Sequence, residues 1–439
     1  MARTSRQDVQ KISIERLLAF SNSQKYFCLL NSNDFVLNDK LQLNKYDFLA
    51  GWGCVDEAVC ESNAIQKLNL FIQENSGKWV FGFISYDFKN EIEKLSSSNS
   101  DNIQMPLLHF FVPEFVLLKQ NKEQIIICQG KQKVSEEKII ENILNHKEKK
   151  IQSPSFHLYQ KITKTKYLDT VEKIKQHIQF GDVYELTYCQ EFFADKVIVW
   201  PANVYASLNM ISPSPMSCYY KLGDKYLVSS SPERFLRKKG QRLYSQPVKG
   251  TAPRGKNTRE DERMKLQLFN DEKERAENVM IVDLVRNDLS KVSKRGSVKV
   301  EELFGTYSFS TVHQMISTIS CELKSEIDFT DIIKATFPMG SMTGAPKVRA
   351  MQLIEEYEAT KRGLFSGTVG YISPAGDFDF SVIIRSLLYN AANRCLSLMV
   401  GSAITAKSDP VSEYNECLLK ADAAIEALNN LKSKSNKAK

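Results

Sequence analysis

Two punctuated strand ends constrain this chain more than any other feature. Ser231-Pro232-Glu233-Arg234-Phe235 follows the apolar run Tyr226, Leu227 and Val228, and Pro232 cannot pair inside a ladder, so the stretch predicts a strand turning a corner. Gln246-Pro247-Val248-Lys249-Gly250-Thr251 comes next. Its proline and glycine restrict the backbone around one lysine, which suits a side chain aimed at one atom. In isolation a Pro-x-Lys-Gly is ordinarily a surface turn, so the weight falls on what accompanies it.

Short strands surround these corners. Residues 26–30 and 79–86 are apolar runs, with Gly82 admitting a neighbouring backbone. Further strands are predicted near 107–118 and 123–129, and a charged helix over 135–147. Residues 148–155, with Pro154, have little to bury and predict a linker. The expected organisation is an N-terminal subdomain over 1–150, a catalytic domain over 151–430 and a lysine-rich tail over 431–439. The second part opens on a helix in which Tyr167, Val171, Ile174 and Ile178 recur at helical spacing, stopped by Gly181-Asp182 and followed by a strand through Tyr188.

Composition excludes several classes. The net charge of +7 is modest for 439 residues, and part of it sits in the runs at Lys147, Lys149 and Lys150 and at the C-terminus. Solvated ends explain these better than a nucleic-acid footprint, which needs basic residues and aromatics on one element. No window reaches 18 apolar residues and the first residues lack an apolar signal core, so neither a membrane span nor export by the usual signal is expected. Nine scattered cysteines without a Cys-x-x-Cys pair, and histidines only at 109, 146, 157, 177 and 313, fit a reduced cytoplasmic protein without zinc.

The chemistry-bearing residues are acidic. Residues 261–289 read as one helix with Glu274 and Glu277 on one face, its apolar positions Val279, Met280, Val282, Leu284 and Val285 entering the core. Glu413 and Glu416 repeat the spacing, with Lys420 one turn on. Such pairs are commonly solvated faces, but two that converge would hold a divalent cation, magnesium being expected from the all-oxygen donor set. Lys420 is either a helix ion pair to Glu416 or a cation facing a substrate carboxylate. Phe337-Pro338-Met339-Gly340-Ser341-Met342-Thr343-Gly344-Ala345-Pro346-Lys347 precedes a helix and could present N–H groups to an anion; it lacks the order of a P-loop. Arg385, after the strand 378–384, must find an anion because its charge cannot be discharged. Val400-Gly401-Ser402-Ala403-Ile404 is a second small-residue strand end.

These motifs resemble the chorismate-utilising enzymes, the family of anthranilate synthase component I. The carriers are Ser-Pro-Glu-Arg-Phe (231–235), Lys-Glu-Arg-Ala-Glu-Asn (273–278), Val-Asp-Leu-Val-Arg-Asn-Asp-Leu (282–289), Met-Thr-Gly-Ala-Pro-Lys (342–347) and Glu-Tyr-Asn-Glu (413–416). They span nearly all of residues 160–428, and residues 1–150 match more loosely. The fold implied is a large α/β sandwich of mostly antiparallel strands in two sheets with helices outside. Anthranilate synthases carry alanine where Lys249 stands. A lysine there resembles the aminodeoxychorismate-forming branch of the family, on the way to para-aminobenzoate and folate. Isochorismate and salicylate synthases use another lysine, near the place of Glu185, so water addition is disfavoured.

The resemblance implies roles residue by residue. Lys249 adds to C2 of chorismate while Glu233 protonates the leaving C4 hydroxyl, and ammonia then displaces the lysine. Glu277 and Glu416 are implied as direct Mg2+ ligands, Glu274 and Glu413 as ligands through water. Arg385, Lys420 and the turns holding Gly340, Ser341, Thr343, Gly344, Gly401, Ser402 and Ala403 are implied to bind substrate, with His313 an active-site candidate. A lysine of pKa ~10.4 is neutral about once in 2,500 at pH 7, withholding roughly 4.6 kcal/mol from the nucleophile; burial and magnesium are expected to lower that pKa, and an apolar pocket to raise that of Glu233. The chain departs from the family at Phe365, where Tyr or Trp is common. It departs again at Leu29-Leu30-Asn31-Ser32, where tryptophan-inhibited members have Leu-Leu-Glu-Ser, so tryptophan inhibition is not carried over. No cysteine lies in a Gly-x-Cys-x-Gly turn, so a separate glutaminase (glutamine amidotransferase) subunit is the implied partner and ammonia source.

Overall fold

A computed structural model describes residues 12–432 apart from 36, 38–39, 122, 132–133 and 147–152. Many of its strands are apolar on both faces: Phe48–Trp52, Val80–Ile84, Leu108–Val112, Thr368–Ile372 and Phe378–Val382 are buried at every position. Such strands must be covered from both sides, and two large sheets with outer helices provide the cover. Among the described residues one sheet has eleven strands and the other ten. Pairing between named strands is antiparallel throughout, as in the registers of Tyr26–Asn31 with Met216–Leu222 and of Cys395–Ile404 with Glu185–Ala194. This is the α/β two-sheet sandwich expected from sequence.

The described residues up to 146 build into the same sheets as the rest. Tyr26–Asn31 pairs with Met216–Leu222 in the larger sheet, and Val80–Ile84 pairs with Thr368–Ile372 in the smaller. One core cluster accordingly joins Phe81, Phe83 and Phe110 to Phe378 and Phe380. Of the predicted linker only residues 153–155 are described, and the tail beyond 432 lies outside the described residues, as do Lys147, Lys149 and Lys150.

The helix predicted over 261–289 is two helices, Thr258–Asn270 and Glu272–Val292. Asp271 breaks it, since its extended backbone (φ −67°, ψ 116°) lets its side chain accept the N–H of Glu274 and start a new helix. Val279 is 41% exposed rather than in the core, which Ile281, Val282 and Leu289 enter instead.

Candidate active site

The site lies where the chain twice changes sheets. Lys225–Ser231 belongs to the larger sheet and Arg234–Lys239 to the smaller, so the corner at Pro232 carries Glu233 between the layers. Phe378–Val382 and Ser386–Asn390 make the reverse passage, and Arg385 stands on it with φ 50°, a left-handed conformation that costs a non-glycine residue on the order of 1 kcal/mol. The two passages are tied together, Val382 N donating to Glu233 O at 3.0 Å and Ser230 N to Arg385 O at 3.1 Å. Behind the corner the buried Arg234 grips Asp379 at 2.8 and 3.2 Å. Geometry this constrained fixes where Glu233 and Arg385 point.

Both line a cavity of about 610 Å³, together with Lys249, Glu274, Glu277, Ser341, Phe365, Gly401, Ser402, Ala403, Glu413, Glu416 and Lys420. Lys249 enters from the strand Val248–Pro253, whose register against Val312–Glu322 slips between Val248 and Thr251. Gly250 makes the slip possible: its φ is +98°, and a side chain there would press on Glu274 Oε2 at 3.1 Å. The Lys249 ammonium donates to Glu185 Oε1 at 2.5 Å, a carboxylate with no solvent exposure.

The lysine is therefore not discharged as expected. Burial alone would lower its pKa, but Glu185 and then Glu277 outweigh burial and raise it. For Glu233 the expectation agrees with the structure: burial pushes its carboxyl up to about 7, against a hydrogen bond from Ser341 Oγ at 2.6 Å and the nearby Lys249 charge.

The acidic pairs line the same cavity from the helices Glu272–Val292 and Pro410–Asn429. Burial, with Glu185 and Glu274 nearby, raises Glu277 to about 7, and its buried Oε1 makes no hydrogen bond. Among the described residues no three acidic, imidazole or thiol groups are gathered closely enough to hold a metal ion. The donor chemistry nonetheless fits a hard divalent cation: four carboxylates line one cavity, Glu277 and Glu413 among them buried and Glu277 with an oxygen that accepts no hydrogen bond. Lys420 Nζ makes the helix ion pair, to Glu416 at 2.6 Å, and also donates to Gly401 O at 2.8 Å on the cavity wall. The Arg385 guanidinium makes no hydrogen bond or ion pair with any described residue, and burial pushes it below the usual arginine range. It is a cation in want of an anion.

Four predicted residues stand off the cavity wall. His313 is fully buried, its Nδ1 2.9 Å from Ser308 Oγ and its Nε2 2.9 Å from Asp261 Oδ1. Strand alternation gives the cavity to its neighbours Val312 and Gln314, so His313 braces the strand from behind. Gly340, Thr343 and Gly344 are packing residues: a side chain on Gly340 would strike Leu284 at 2.3 Å, one on Gly344 would strike Glu185 O at 2.1 Å, and Thr343 Oγ1 donates to Met339 O at 3.1 Å. Of that turn Ser341 and Met342 reach the cavity.

Glu185 and Lys273 were not singled out as partners by sequence, because the Glu185 contact with Lys249 and the Lys273 contact with Glu413 cross the fold. A third unread element is the buried Arg362, which pairs with Glu358 at 2.6 Å and also donates to Met342 O and, at 2.8 Å, to Thr187 O, joining the walls that carry Ser341 and Glu185.

Residues 34–426 match the family described as chorismate binding enzyme. The chain belongs to that family. Among curated relatives of this chorismate-binding enzyme, anthranilate synthase component 1 of Aquifex aeolicus is 34% identical over 367 residues, covering 80% of this chain and 74% of the relative. Aminodeoxychorismate synthase component 1 of Bacillus subtilis is likewise 34% identical, over 364 residues, 80% of this chain and 76% of the relative. Relatedness thus gives a chorismate-utilising enzyme and leaves the branch open. Among solved structures, anthranilate synthase component I from Streptococcus pneumoniae superimposes with a TM-score of 0.75 at 26% identity, covering 90% of this chain and 95% of that one.

Proposed function

We propose that this chorismate-binding enzyme is the synthase subunit of an aminodeoxychorismate synthase, converting chorismate and ammonia to 4-amino-4-deoxychorismate and water. The observation that carries the reading is Lys249 in the cavity wall with a buried carboxylate at 2.5 Å to take its proton. Glu185 accepts that proton, and the freed amine attacks C2 of the ring. The ring double bond shifts, and the C4 hydroxyl leaves as water with the proton of Glu233, whose carboxyl is half-protonated near neutrality. Ammonia attacks C4, the double bond shifts back and the C2–N bond breaks, returning Lys249. The new ammonium group gives its proton to Glu233, and Lys249 recovers its own from Glu185, so every proton is accounted for.

Arg385 and Lys420 supply positive charge for the carboxylates of the chorismate dianion. Glu277 and Glu416, with Glu274 and Glu413 beyond them, would hold Mg2+, which when bound fixes one substrate carboxylate and neutralises part of its charge. A glutaminase partner would deliver ammonia, with free ammonium substituting in the test tube. Among the described residues no disulfide joins the cysteines and no helix is long and apolar enough to cross a membrane; the setting proposed is the cytoplasm.

The second reading is anthranilate synthase, favoured by the equally similar relatives. Incubating the chain with chorismate, MgCl2 and ammonium and separating the products, with and without an aminodeoxychorismate lyase, decides between them. Aminodeoxychorismate, turned to para-aminobenzoate only when the lyase is present, is expected. Anthranilate as the main product would reject the proposal.

A further inference from the structure

Lys273 is the one cavity-lining cation to which the chemistry above gives no task. It sits at the first turn of the helix Glu272–Val292. Its Nζ is 3.8 Å from Glu277 Oε1 on its own helix and 3.7 Å from Glu413 Oε1 on the helix Pro410–Asn429. Both separations exceed hydrogen-bonding distance, so the ammonium lies between the two carboxylates as a point charge rather than a bound donor. The three side chains differ in freedom. Glu413 is 3% exposed and Glu277 12%, whereas Lys273 is 46% exposed. The carboxylates are built into the wall, and the ammonium reaches them from solvent on a flexible stem.

We infer that Lys273 is a resident counter-cation of the acidic site, holding the space between Glu277 and Glu413 until a divalent ion displaces it into solvent. The inference rests on the magnesium reading above. Glu274, Glu277, Glu413 and Glu416 share one cavity wall, and like charges so placed repel unless a cation lies among them. An ammonium brings one positive charge and can only donate hydrogen bonds, whereas Mg2+ brings two and takes carboxylate oxygens as direct ligands, so the ammonium yields to it. Its half-exposed pairs are weak, and release into water costs little. A substrate-anchoring lysine would behave differently, since it would keep its place when the metal bound.

The test is calorimetric titration of MgCl2 into the full-length chain without substrate, for wild type, Lys273→Met and Lys273→Gln, with thermal unfolding of each in the presence and absence of MgCl2. Both variants should bind Mg2+ about fivefold more tightly, the order expected when weak half-exposed pairs no longer compete. Without metal both should melt below wild type, and MgCl2 should raise their melting temperature by more than it raises that of wild type. Unchanged or weaker Mg2+ affinity in either variant, with wild type still binding, would overturn the role of Lys273 alone. Absence of Mg2+ binding in wild type and variants alike would overturn the magnesium reading, and the inference with it.

Discussion

Replacing Glu233 by glutamine should remove a pH-dependent part of the stability of the fold. The carboxyl is fully enclosed and titrates near 7 instead of at its ordinary 4.5, because burial penalises the charged form more than the Ser341 hydroxyl and the Lys249 charge favour it. A group whose pKa is higher folded than unfolded binds its proton more tightly in the native state. Its contribution is fully present below 4.5 and is lost as the pH rises through about 7. At roughly 1.4 kcal/mol per pH unit, that interval corresponds to about 3 kcal/mol. Glutamine keeps the shape and a partner for Ser341 but has no proton to lose. Urea unfolding of wild type and Glu233→Gln between pH 4.5 and 8 should give a stability difference that shifts by about 3 kcal/mol in favour of the variant as the pH rises. In parallel, wild-type kcat/KM for chorismate should fall as the pH passes 7, because the acid form is the one that protonates the leaving hydroxyl, and the variant should be inactive. A stability difference flat across the range would refute the enclosure of Glu233.

Further outcomes follow from the same geometry. Ser341→Ala removes the hydroxyl that favours the Glu233 carboxylate, so the alkaline limb of the kcat/KM profile should move up by roughly one pH unit; a downward shift would mean that Ser341 holds the protonated form. Glu416→Gln should raise the magnesium concentration needed for half-maximal turnover at least tenfold (roughly the loss of one carboxylate ligand), measured in a magnesium titration with saturating chorismate; an unaltered requirement would take Glu416 out of the ligand set. Arg385→Met should weaken chorismate binding by a hundredfold or so, as for a buried charge-assisted contact, read as KM in the ammonium-dependent assay; an unchanged KM would assign the substrate carboxylates elsewhere.

What sequence disclosed and what it hid divide by range. Pro232 and Pro247 are local punctuation, and they mark where strands end, so Glu233 and Lys249 could be placed at strand ends without knowing what lay opposite. The small-residue turn around Gly340 was legible as a loop, but its use was not: Gly340 and Gly344 are small because Leu284 and the Glu185 carbonyl crowd them, and those neighbours are distant in sequence. His313 shows the limit of parity. Alternation says that it faces opposite to Val312 and Gln314, yet which face meets the cavity depends on the pairing with Val248–Pro253. The break at Asp271 had a local sign, Asp271 followed three residues later by Glu274, a pattern for starting a helix, but the surrounding helix formers masked it. The raised pKa of Lys249 could not be foreseen, since it depends on Glu185, 64 residues away.

The central claim is that the Lys249 amine bonds to the substrate ring. Peptide mass spectrometry of enzyme quenched during turnover of chorismate with MgCl2, before ammonium is added, tests it most directly. The account predicts that the peptide containing Lys249 carries the mass of chorismate less water, that ammonium discharges it, and that Lys249→Ala forms neither adduct nor aminodeoxychorismate. An unmodified Lys249 peptide, together with a Lys249→Ala enzyme that still makes aminodeoxychorismate at the wild-type rate, would contradict it.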